Sequence, residues 1–413
     1  MTNITPIDTH TSASTTAGYG IAAPGIDWAA SPAQQALRIA TPSDPFVTEN
    51  GATLDDVVLA YETWGTLAPA RDNVVLVFHA LTGDSHAASH PEIPGDRVGW
   101  WEPLIGSGRP LDTDRFFIIC ANTLASCYGS TGPCTFAPDG ERWGTRFPAV
   151  TVRDQVNAQL RLLDRLGIDV LACAIGGSLG GMEAVELGAT APDRVRRLVV
   201  VAASGRFHAQ GIAFNEIQRR AIMLDPTWQG GAYGEQQPAG GVALARMVGM
   251  LTFQSDESMT MRFGRHAVAR YNAWPEFHGR FDIEGYLHYQ GDKLSGRFDA
   301  NAYLYLLRAM DSHDIGRERG GLSEAARRIT ARTLVIGVRS DVLFPTVHVQ
   351  ETADAITRGG GVARYWELNS PHGHDAFLKD FERLDAVLRD GVGWQATPPV
   401  ARTSAVDETE AAD

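Results

Sequence analysis

Short unbroken apolar runs recur in two parts of the chain, each about as long as one strand. Val74-Val75-Leu76-Val77-Phe78 is the first and Phe116-Phe117-Ile118-Ile119-Cys120 the second. Leu171 to Ile175 is the third and Leu198-Val199-Val200-Val201-Ala202 the fourth. A run apolar at every position predicts a strand covered on both faces. Val156, Leu160 and Leu163 keep helical spacing over Val152 to Leu166, with Gly167 as the stop, and Met182 to Ala189 reads as another helix. Strands alternating with helices predict an α/β fold, with a mostly parallel sheet covered by helices on both faces.

Residues 205–317 have a different texture. Phe214 to Met223, Val242 to Leu251 and Asn301 to Met310 have helical periodicity, and no long β-branched run interrupts them. The strand pattern returns at Thr333-Leu334-Val335-Ile336-Gly337 and more weakly at Ala363 to Leu368, before a closing helix over Ala376 to Leu388. The predicted organisation is a disordered arm over 1–36, a core built from 37–204 and 318–394, a helical lid inserted at 205–317, and a disordered acidic tail over 395–413.

Composition narrows the function. A chain of 413 residues, 44% apolar and 21% charged, is long enough to bury a core without metal or disulfide support. Its net charge of −13 argues against nucleic acid and anionic membranes as partners. No apolar run approaches the roughly 20 residues of a membrane helix, and no secretory pattern opens the chain. Cys120, Cys127, Cys134 and Cys173 lack metal or CxxC spacing, which predicts free thiols in a reducing cytoplasm.

The strongest chemical signal is Gly176-Gly177-Ser178-Leu179-Gly180, a G-x-S-x-G pattern between an apolar strand and a helix. That context makes Ser178 a candidate nucleophile, with glycines allowing a strained turn and a helix N-terminus facing a developing anion. Alone, the pentapeptide is equally a Gly-rich packing turn. A serine nucleophile needs a base and an orienting acid, in the chain order Ser, Asp or Glu, His. Asp341 lies just past the strand Thr333 to Gly337, and Pro371-His372-Gly373-His374-Asp375 precedes the last helix. On pattern alone either His372 or His374 serves as base, and Asp375 is equally a helix cap. The oxyanion donors expected are the N–H groups of Leu179 and of Leu81, in the loop His79-Ala80-Leu81-Thr82-Gly83. His79 and His86 read as supports of that loop. His208, His266, His278, His288 and His313 show no ligand spacing, so no metal is expected.

Several further segments carry a resemblance: Gly99-Trp100-Trp101, Tyr128-Gly129-Ser130-Thr131-Gly132-Pro133, Asn215-Glu216-Ile217-Gln218-Arg219, Tyr289-Gln290-Gly291, Arg297-Phe298-Asp299-Ala300-Asn301 and Gly373-His374-Asp375-Ala376-Phe377-Leu378. With the oxyanion loop and the Ser178 turn, they make the chain resemble the homoserine O-acetyltransferase family of the α/β-hydrolase superfamily, over about Pro45 to Leu388. The resemblance implies Ser178, Asp341 and His374 as the triad, which sets His372 aside. It implies Arg246 on the α-carboxylate and Asp375 on the amino group of the acceptor. It further implies acetyl-CoA as co-substrate with no permanently bound cofactor, L-homoserine as acceptor, a place in methionine biosynthesis and a homodimer joined through the lid. One position departs from the family: Phe253 stands in Leu251-Thr252-Phe253 where a Tyr is usual. The alternatives are a serine O-acyltransferase, a homoserine O-succinyltransferase, a serine esterase or thioesterase, and a non-catalytic binding protein.

Overall fold

A computed structural model describes residues 30–267, 277 and 279–391. The predicted tail, and the arm before residue 30, lie outside the described residues. The arm's predicted end is corrected, because the first strand, β1 (Gln35–Ala40), starts inside it.

Seven more strands complete the main sheet: β2 (Val57–Trp64), β3 (Val74–Phe78), β4 (Phe117–Ala121), β5 (Cys173–Gly177), β6 (Arg197–Val201), β7 (Arg332–Val338) and β8 (Ala363–Leu368). Their spatial order is β1-β2-β4-β3-β5-β6-β7-β8. β2 is antiparallel to β1 and to β4, and every other pairing is parallel. The unbroken apolar runs follow from this placement. In β3, Val74, Leu76 and Phe78 pack into one core layer while Val75 and Val77 pack into the layer on the opposite face.

Helix α1 (Val152–Arg165) begins with a capping box: the Asp154 N–H reaches the Thr151 hydroxyl, and the Thr151 N–H reaches the Asp154 carboxylate. Gly167 ends it with φ +67. Helix α2 (Leu179–Thr190) is buried along almost its whole length, so its apolar and small residues pack on every side.

Between β6 and β7 stand α3 (Ala209–Met223), α4 (Ala239–Phe253), α5 (Asp256–Phe263), α6 (Asp282–Ser295) and α7 (Ala300–Asp311), then the single turn α8 (Leu322–Ala326). The neck of this insertion is closed by backbone bonds from Phe207 to the His313 carbonyl at 2.9 Å and from Ile315 to the Gly205 carbonyl at 2.8 Å. After β7 comes α9 (Thr346–Arg358), and after β8 a 3-10 turn over Gly373–Leu378. The closing helix, α10, spans Phe381–Gly391 and not the predicted start at Ala376. Ala376 belongs to the preceding turn, whose carbonyl takes the N–H groups of Lys379 and Asp380.

Candidate active site

Ser178 occupies the single residue between β5 and α2, with φ 58 and ψ −123. A non-glycine residue pays for that conformation, so the surroundings must hold it. The Ser178 N–H donates to the Val201 carbonyl at the end of β6 at 3.0 Å, and its carbonyl accepts from Met182 at 3.0 Å. The flanking glycines are there because backbones approach too closely for a side chain. A Cβ on Gly176 would enter the backbone of Gly180, and one on Gly180 would strike the Phe78 carbonyl. A Cβ on Gly177 would lie 2.6 Å from the Phe377 ring, and one on Gly181 2.6 Å from Ala203 Cβ.

His374 Nε2 lies 2.8 Å from Ser178 Oγ, and His374 Nδ1 lies 2.7 Å from Asp341 Oδ2. The other Asp341 oxygen accepts the N–H groups of Leu343 and Phe344 at 2.8 and 2.9 Å, which fixes the carboxylate. The imidazole is held by rings: Phe344 stacks on it at 5.3 Å and Phe377 meets it edge-on at 5.6 Å. All three polar residues are buried. A hydroxyl, a base on that hydroxyl and an acid on the far ring nitrogen form an arrangement able to deprotonate serine as it attacks a carbonyl. His372, the other histidine open on pattern, is the N-cap of the 3-10 turn that carries His374.

Leu81 lines the cavity over Ser178, and Leu179 is the first residue of α2. Among the described residues no hydrogen bond takes the N–H of either, so both amides remain open donors. Beside the loop, His79 donates from Nδ1 to the Ala80 carbonyl at 2.8 Å and accepts the Thr123 N–H on Nε2 at 2.9 Å. Complete burial lowers its pKa and keeps it neutral. His86 faces an acceptor on each side, Glu62 at 2.8 Å and the Arg97 carbonyl at 2.7 Å, so both nitrogens donate and the ring is cationic. Burial opposes that charge, but Glu62 outweighs it and raises the His86 pKa. From the lid, Arg297 donates to the Thr82 carbonyl at 3.0 Å and to the Tyr128 hydroxyl at 2.7 Å, tying the loop to the insertion.

The lid also supplies the other wall. A cavity of about 70 Å³ lies between Ser178, Leu81, Thr82, His374 and Asp375 on the core side and Asn215, Gln218, Arg246 and Phe253 on the lid side. The Arg246 guanidinium lies over the Phe253 ring at 5.2 Å. Desolvation lowers its pKa, opposed by the Tyr303 and Asp375 charges. No hydrogen bond or ion pair among the described residues involves the Arg246 side chain. Asp375 pairs with Lys379 at 2.8 Å. The Tyr303 hydroxyl donates to Gln218 Oε1 at 2.6 Å, which fixes that amide. Phe253 places a plain ring 6.0 Å from the His374 ring and beneath Arg246, where a tyrosine would add a hydroxyl.

Every site residue expected from the sequence therefore borders one space or adjoins it. Phe344 was not singled out, and Phe377 and Arg297 entered only within family segments and without a role, although the two phenylalanines lie within three residues of Asp341 and His374. An aromatic residue so close in sequence to an acid or base was the available signal. The four cysteines are buried and unpaired, and burial raises the Cys173 thiol to about 12, which leaves it a packing group.

The fold and the serine turn define the class, and the family described as "alpha/beta hydrolase fold" matches residues 73–381. A homoserine O-acetyltransferase from Symbiobacterium thermophilum is 52% identical over 355 residues, covering 85% of this chain and 93% of that protein. A homoserine O-succinyltransferase from Methylibium petroleiphilum is 47% identical over 360 residues, 86% of this chain and 92% of its own. The crystal structure of esterase E22 superimposes with a TM-score of 0.79 at 30% identity, covering 86% of this chain and 98% of that one. The chain belongs to the homoserine O-acetyltransferase family within the α/β-hydrolase fold.

Proposed function

We propose that this chain transfers an acetyl group from acetyl-CoA to the hydroxyl of L-homoserine by double displacement, in methionine biosynthesis. His374, oriented by Asp341, takes the Ser178 proton as Oγ attacks the thioester carbonyl. The oxyanion is met by the Leu81 and Leu179 N–H groups, and the protonated His374 delivers its proton to the departing CoA sulfur. The acetyl group then stays on Ser178 Oγ until His374 takes the homoserine hydroxyl proton as that oxygen attacks the ester; His374 returns the proton to the departing Ser178 Oγ and O-acetylhomoserine is released. Loss of one oxyanion donor would cost about 3–4 kcal/mol of transition-state stabilisation.

The observation that carries the reading is an unpaired guanidinium in the same cavity as a carboxylate and the serine. Arg246 suits an α-carboxylate bidentately, and Asp375 suits an α-ammonium. An esterase acting on uncharged esters needs neither. In this reading acetyl-CoA is a co-substrate and the reaction uses no permanently bound cofactor. The enzyme works in the cytoplasm, and among the described residues no helix is long and apolar enough to cross a membrane. It works as a homodimer joined through the lid, where Leu244 and Leu251 of α4 and Tyr289 of α6 are exposed.

The test is thiol release from acetyl-CoA and from succinyl-CoA, with homoserine, with serine and with no acceptor. Release that requires homoserine and prefers acetyl-CoA supports the proposal. Equal release without any acceptor makes the protein a thioesterase, and a preference for succinyl-CoA makes it a succinyltransferase.

A further inference from the structure

Two groups of histidine and carboxylate come together among the described residues, and their hydrogen bonding separates them. In Glu62, His86 and His90 the needs are already met. His86 uses both nitrogens, His90 Nε2 reaches Glu62 at 3.1 Å, and His90 Nδ1 faces Glu92 at 3.4 Å. That group is a finished network beneath the oxyanion loop.

The second group is His208, His348 and Glu351, with donor atoms that all lie within 4.8 Å of one another. His208 is the N-cap residue of α3, yet its side chain makes no capping bond. Its Nε2 is buried and has no hydrogen-bond partner, which is costly for a polar atom removed from water. His348 and Glu351 are one turn apart on α9 and so share a face. The His208 and His348 rings stack with centroids 3.3 Å apart and planes 19° from parallel, so sharing one ion requires one ring to turn until both in-plane lone pairs meet it. Two imidazoles and a carboxylate converge there from the lid and the core, with one ring nitrogen left open.

We propose that His208, His348 and Glu351 bind one divalent ion of the zinc type, fastening the first lid helix to α9. Two imidazole nitrogens and one carboxylate oxygen suit zinc, and water completes a four-coordinate shell at this partly exposed position. Arg206 Nη2 lies 2.9 Å from Glu351 Oε1 and 3.3 Å from Oε2, and so holds the carboxylate as its outer partner. The neighbouring Phe207 meets Phe344 at a 38° tilt with centroids 5.2 Å apart, and Phe344 stacks on His374, so the ion braces the wall behind the imidazole without touching the cavity. Sequence spacing hid the site, because one ligand stands at the start of the lid and the others follow its end.

The experiment uses the full chain, stripped with a chelator and dialysed, then titrated with zinc chloride by calorimetry while Tm is followed. The proposal expects one zinc per chain, a Tm that climbs with zinc concentration, and tetrahedral ligand-field absorption when cobalt(II) replaces zinc. The paired substitution His208→Ala and His348→Ala abolishes all three. His348→Gln, on partly exposed α9, loses them too and serves if the pair does not fold. Absence of saturable zinc binding by the wild-type chain overturns the proposal, as does undiminished binding by a folded variant.

Discussion

The two walls of the cavity are built on opposite principles. The core wall is over-determined: Ser178, His374 and Asp341 sit at ends of elements packed so closely that four neighbouring glycines have no room for a Cβ. Each polar atom of the relay already has its partner at 2.7 to 2.9 Å. The lid wall is polar but unfinished, with Arg246 carrying no ion pair and resting on an aromatic face. A wall complete in itself performs chemistry on any acyl group that reaches it. A wall with an unmet charge waits for a ligand and selects it.

The sharpest way to break this comparison is Ser178→Ala. Acetyl transfer should fall by about 10⁴-fold or more with the fold intact, measured as thiol release beside a far-UV spectrum. A smaller loss would mean that the core wall does not carry the reaction. Arg246→Ala should act on one half-reaction only. Its removal costs a charge-assisted contact of about 1.5–3 kcal/mol, or roughly 10- to 150-fold in kcat/KM for the amino-acid acceptor. Acylation of Ser178 by acetyl-CoA alone, followed by mass spectrometry, should stay near the wild-type rate. Equal damage to both steps would erase the division between the walls.

A third prediction concerns the support of the core wall. Glu183 on α2 is fully buried, accepts the Thr123 hydroxyl at 2.5 Å, and burial raises its pKa from 4.5 to about 8. Between those values the folded chain holds a proton that the unfolded chain has released, so stability falls as pH rises through the window. Glu183→Gln should flatten that part of the Tm-against-pH curve, and an unchanged slope would clear Glu183 of responsibility. The smallest effect belongs to Phe253→Tyr. The added hydroxyl should shift the homoserine-to-serine preference only a few-fold, within about 0.5–1 kcal/mol, with Tm little changed.

The strands that carry the site were legible because a parallel sheet covered on both faces leaves unbroken apolar runs. β2 escaped that reading although Val57 to Tyr61 is an apolar run as long as that of β3, and Glu62, which breaks the run, is buried as well. The structure neutralises the break with His86, His90 and Ser85, partners that no local pattern reveals. The closing helix was misplaced for a related reason. Gly373 packs against the backbone of Gln254 and Ser255 with φ +66, and this lid contact turns the helical-looking stretch around His374 into a tight 3-10 segment. Ser178 and Asp341 followed from motif and chain order, while the choice of His374 over His372 rested on resemblance. So did the role of Arg246, since a helix charge looks solvated until another element buries it. The convergence of His208 with His348 was out of reach, since it depends on how the lid returns to the core.

The hydrogen bond from the Ser178 N–H to the Val201 carbonyl at the end of β6 has a consequence for descent. It anchors the nucleophile to the sheet rather than to anything in the insertion, so the lid can be rewritten residue by residue without retuning the serine. Acyltransferase and esterase are then neighbouring solutions on one engine, separated by which charges the insertion leaves unpaired above it.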